Sequence, residues 1–153
     1  MNDHEAVAIQ LGREPLAFRV AARCPAGFPS VIENERRPMM PTSFWVTCPT
    51  LSAAISRVEA LGGVRAAQEE IGEEAVDEIH ARHIARYGAR VAGIGGPKGK
   101  PSGRVKCLHA FVALHLAGAI PNPVAEWTLA RLENPYADPA RCPRCFKRPE
   151  QTG

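Results

Sequence analysis

From Cys107 to Ile120 the chain carries its most apolar run, interrupted by His109 and His115. A run of this kind has to be buried, yet with two imidazoles and 14 residues it is too polar and too short to cross a bilayer. It predicts a buried helix over residues 106–117, against which the rest of the chain packs. No other stretch approaches 18 consecutive apolar residues. The start, Met1-Asn2-Asp3-His4-Glu5, is acidic and lacks the basic and apolar regions of a secretory signal. These features lead us to expect a soluble, cytoplasmic protein without a membrane partner, whose thiols stay reduced. Its five cysteines are then core residues, metal ligands or reactive thiols before they are disulfides.

With 153 residues, 45% of them apolar and 23% charged, the chain suits one globular domain. A net charge of +3 argues against wholesale coating of nucleic acid. Residues 1–13 read as a loose leader. Residues 16–21 alternate as a strand, the Pro- and Gly-containing segment Cys24 to Pro29 turns the chain, and residues 30–33 can return as a second strand. Residues 42–47, rich in aromatic and β-branched side chains, form the clearest strand. Helices follow: from Thr50 or Ser52 to Leu61, a short polar one over 64–70, and a longer one over 73–91 with an acidic first turn and a basic last one. A loop with five glycines and two prolines covers 92–103, and Asn122-Pro123 starts a last helix. The expected fold class is α+β: a small N-terminal antiparallel sheet of about three strands packed with four or five helices. The domain spans 14–133, and 134–153 is a largely irregular tail.

Four groups of residues could carry chemistry. The glycine loop leads into a helix start, where backbone N–H groups attract anions. Gly95 and Gly96, with Arg90 and Lys106, are therefore candidates to hold a small anionic ligand, although no Walker or dinucleotide motif is present. On the helix before the loop, helical spacing places Val76, Ile79, His80, His83, Tyr87 and Arg90 on one side, so His83 and Tyr87 share a stripe with core residues and suggest a polar pocket. Cys107 sits near a helix start beside Arg104 and Lys106, a setting that favours the thiolate. If Cys107 and His109 were both helical they would diverge by about 200°, and they converge only if Cys107 precedes the first turn. Finally, Cys24, Cys48 and Cys142 each precede a proline. Cys24 and Cys48 close two strands expected to pair, and with Cys107 and His109 they make a Cys₃His set suited to zinc or, with thiolates dominant, an iron–sulfur cluster. Cys142 and Cys145 form a lone C-x-x-C on the tail.

Residues 41–49 (Pro-Thr-Ser-Phe-Trp-Val-Thr-Cys-Pro), Gly93-Ile94-Gly95-Gly96, Val105-Lys106-Cys107-Leu108-His109 and Asn122-Pro123-Val124 together resemble the bacterial family called domain of unknown function 501. Arg23-Cys24 with Gly27-Phe28-Pro29, and the segment from His83 to Arg90, are similar to further parts of its pattern. The resemblance spans roughly residues 16–125. It implies no activity, but it marks Cys24, Cys48, Cys107, His109, His83, Tyr87 and Arg90 as shared positions and leaves Cys142 and Cys145 outside. The reading that follows is an uncharacterised protein binding a metal ion or small anion at a Cys/His/Arg pocket beside the glycine loop. Its rival is a non-catalytic interaction module with a protein partner, in which the cysteines are core packing.

Overall fold

The computed structural model describes residues 2–35, 43–93 and 103–136. Within them a three-stranded antiparallel sheet, β1 (Phe18–Arg23), β2 (Pro29–Asn34) and β3 (Phe44–Val46), runs in the order β1-β2-β3. The helices are α1 (Asp3–Leu11), α2 (Pro49–Ala60), α3 (Gly63–Ile71), α4 (Glu73–Tyr87), α5 (Leu108–Leu116) and α6 (Pro123–Leu129). The α+β class and the small N-terminal sheet are as the sequence indicates.

β2 pairs with β1 on one side, with a register shift around Ala22, and with β3 on the other, Ile32 facing Trp45. It is the most enclosed strand because it is central, and Val31 and Ile32 are fully buried. α5 packs along β3 and against α6, so the apolar run does become the centre of the core: Leu108, Phe111, Val112, Ala113 and Leu114 are all sealed from solvent. Because α5 is apolar on nearly every face, it needs neighbours on every side. α2 contributes Leu51, Ala54 and Ile55, and α4 contributes Val76 and Ile79.

Two elements differ from the sequence reading. Asp3–Leu11, within the stretch read as a loose leader, forms α1, with Asn2 and Glu5 in a reciprocal capping box and Gly12 closing it in the left-handed region at φ 72°. Its mean hydropathy gives little warning, but Val7 is buried and Arg23 pairs with Asp3 at 2.7 Å, which ties the helix to β1. α4 stops at Tyr87 because Gly88 adopts φ 76°, so Arg90 lies beyond the helix and not on its face.

Three contacts hold the segment that leads into α5. Gly103 lies where a Cβ would overlap the Glu73 carbonyl, so only glycine fits. Gln68 donates to the Gly103 carbonyl and accepts from the Val105 N–H at 2.7 Å, as a neighbouring strand would. The buried His80 accepts at Nδ1 from the Val91 N–H (3.1 Å) and donates from Nε2 to the Arg104 carbonyl (2.7 Å), joining both ends of the loop. Burial pushes its pKa down, which keeps the imidazole in this neutral, two-way form.

A Cys107, His109 and Glu59 cluster at the start of α5

The contacts just described deliver residues 103–107 to the start of α5. Cys107 is the N-cap, extended at φ −150° and ψ 124°, and its own side chain makes no capping bond. An acid from another helix takes that place: Glu59 Oε2 accepts the Leu108 N–H at 2.8 Å. A carboxylate there satisfies a donor with no intrahelical partner and faces the positive end of the helix.

The other oxygen of the same carboxylate, Oε1, lies 3.2 Å from His109 Nδ1. His109 Nε2 is 3.1 Å from the Ser52 carbonyl and 3.4 Å from the Ser56 hydroxyl. A carbonyl only accepts, so Nε2 carries the proton, and in the neutral ring the Nδ1 lone pair faces Glu59. One donor atom from each of Glu59, Cys107 and His109 falls within 4.8 Å of the others. Cys107 and His109 converge because the cysteine precedes the first helical turn, the condition stated from helix phasing.

The imidazole holds its proton tightly. A hydrogen bond with Cys107, and then the charge of Glu59, outweigh the effect of burial and raise its pKa to about 9. The imidazolium is therefore favoured in the folded, metal-free protein, and its contribution to stability is fully present below about 6.5, the value for free histidine. That contribution is lost as pH rises through about 9. In chelator-treated protein the thermal midpoint should fall across this window, and Cys107→Ser should shrink the fall. A flat profile from pH 6 to 9.5, or a His109 proton resonance titrating near 6.5, would contradict the arrangement.

Beside the cluster lies a cavity of about 260 Å³ lined by Phe44, Trp45, Val46, Ala92, Cys107, His109 and Ala110. Glu59 instead borders a separate, open depression with Arg65, Gln68 and Arg104. The cluster thus stands between the two.

Other candidate residues lie elsewhere. Cys24 and Cys48 are buried and sit beside the half-buried Tyr136, whose hydroxyl pKa is raised by burial and then by the charges of Cys48 and Cys24. Neither belongs to a group of three or more potential ligands among the described residues. His83 is buried, bonds through Nδ1 to the Ala89 carbonyl and packs its ring on Tyr87 at 4.8 Å between centroids. Arg90 is buried and donates to Asp77 at 3.4 Å, so its charge faces a carboxylate of the same chain. Lys106 is exposed. Gly95, Gly96, Cys142 and Cys145 lie outside the described residues. His115 accepts the Asn122 N–H at 3.1 Å.

Glu59 escaped the sequence reading, and Ser52 entered it only as a possible start of the helix. They are seven residues apart on α2, with Ser56 between, and form a polar stripe next to the buried Leu51, Ala54 and Ile55. A half-buried acid bordering a core stripe was the available signal.

The family model described as "Protein of unknown function (DUF501)" matches residues 20–90 and 78–130, which include the whole cluster and both walls of the cavity. The chain belongs to this family. DUF501 brings no activity with it. No curated protein and no solved structure matches the chain. Among the described residues of this DUF501 member, no helix is long and apolar enough to cross a membrane.

Proposed function

We propose that this DUF501 protein binds a divalent metal ion through Cys107, His109 and Glu59, and that zinc is the ion that fits the donors best. The observation that carries this reading is the hydrogen bond from His109 Nε2 to the Ser52 carbonyl. Ligating histidines commonly hand their second N–H to a carbonyl or carboxylate, which fixes the tautomer and aims the free lone pair at the metal. Here the nitrogen left for the metal is Nδ1, on the side of Glu59, and it would give up its proton on binding. Sulfur, nitrogen and oxygen donors together are zinc chemistry, with bonds of roughly 2.0–2.3 Å and hence donor separations near 3.5 Å. The three donors lie within 4.8 Å of one another, little more than that spacing. One cysteine in the cluster is too few for an iron–sulfur cluster.

Three protein ligands leave a fourth position for water or another ligand, as in catalytic zinc sites. The Cys24 and Cys48 pair fits the rival interaction-module reading better, since their burial beside Tyr136 is that of packed side chains. The test is elemental analysis of protein purified anaerobically and without chelators. About one zinc per chain is expected, and protein free of both zinc and iron that also fails to take up added zinc would sink the reading.

A further inference from the structure

The cavity beside the cluster indicates what would occupy the fourth position, an argument that rests on the metal reading above. Its walls are Phe44, Trp45, Val46, Ala92 and Ala110, and its only polar side chains, other than the indole N–H of Trp45, are those of Cys107 and His109. Among the described residues no lysine, arginine or carboxylate lines it. Among the described residues, Arg90 is turned to Asp77, and Arg104 borders the separate depression with Glu59. At about 260 Å³ the space lies just below the usual range for ligand pockets, roughly 300–1,000 Å³. It has room for one aromatic ring or a branched aliphatic group and not for a nucleotide.

Charge points the same way. A thiolate and a carboxylate together neutralise a divalent ion, so the loaded centre has little net charge with which to draw a polyanion from water. Apolar walls with one polar end favour a ligand built in the same manner.

We infer that the fourth metal position opens into this cavity and takes a small molecule with a single lone-pair head and an apolar body about the size of a phenyl ring. The head would bind the metal beside Cys107 and His109, while the body would lie against Phe44, Trp45 and Ala110.

Cobalt-substituted protein tests this, with imidazole and 4-phenylimidazole as probes. Thiolate-to-cobalt charge transfer reports that the metal is held by Cys107, and the d–d bands report the fourth ligand. The expected result is a d–d change at a 4-phenylimidazole concentration at least about tenfold below that needed for imidazole, a gain that burial of the ring readily supplies. Ala110→Phe, which fills the cavity, should abolish the preference and leave the charge-transfer band intact. If that variant does not fold, Trp45→Ala, which removes a wall, should reduce the preference instead. Equal response to both probes, or none to either while the charge-transfer band is present, overturns the inference and leaves the metal reading standing. Absence of the charge-transfer band overturns both.

Discussion

Cys107→Ala should lower zinc affinity by more than about 100-fold, whereas Cys24→Ala and Cys48→Ala should leave it within a few-fold of the parent. The bound for Cys107 follows from a comparison of effects. Loss of an outer hydrogen-bonding partner of a metal ligand typically costs about 10–100-fold, so loss of one of three direct ligands has to exceed that range. Cys107 is also the variant least prone to disturb the fold, because its side chain is partly exposed and does not cap α5. Glu59 is a poorer probe: its carboxylate accepts the Leu108 N–H, so Glu59→Ala would remove a helix cap and a ligand together. Competition against a chromophoric chelator measures all three constants. A Cys107→Ala affinity equal to the parent, or a large loss in Cys24→Ala, would move the site away from the start of α5.

The second large effect concerns stability. Asn122 is buried, and three of the four hydrogen-bonding positions of its side chain are used: Oδ1 accepts the Ala125 N–H at 2.8 Å, and Nδ2 donates to the Phe111 and Ile120 carbonyls at 3.0 Å each. Asn122→Ala removes a helix cap and takes one hydrogen bond from each of two buried carbonyls. A cap contributes about 1 kcal/mol and each lost buried partner a similar amount, giving a loss of about 3 kcal/mol. For a chain of this length that is a fall in thermal midpoint of roughly 10 °C. Asn122→Asp is nearly the same shape and keeps the cap, but it turns a carboxylate oxygen on two carbonyl oxygens in a buried site. At pH 7 it should be at least as destabilising as alanine, since an unpaired buried charge costs more than an absent amide. Protonation of the new carboxyl restores a donor, so the deficit should shrink as pH falls towards about 4. Thermal melts at pH 7 and pH 4.5 decide the matter. An aspartate variant as stable as the parent at pH 7 would mean that the two carbonyl bonds contribute nothing.

Helix phasing set a condition that the fold then met. Two residues apart on a helix, Cys107 and His109 would point in different directions, and they meet because Cys107 is still extended when the helix begins. The ordering of Gly103 to Val105 against Glu73, Gln68 and His80 delivers the cysteine in that conformation. His80 and His83 stood out in the sequence as polar groups on a core-facing stripe, and both are buried there, bonded to carbonyls of the segments leaving or returning to α4.

What the amino-acid sequence by itself determined here is local. Periodicity, turn chemistry and the apolar run at 107–120 indicate the strands, the α5 helix and the Asn122 cap, because each rests on residues within a few positions of one another. The composition of the cluster was a different matter. Glu59 reaches the start of α5 from another helix, and its two oxygens serve separate partners, a backbone N–H and an imidazole. Cys24 and Cys48 carry the same thiol as Cys107 and sit beside Tyr136 instead. Which donors come within a few ångströms is decided by how α2 and α5 pack, and packing depends on the shape of the whole core rather than on the spacing of residues along the chain.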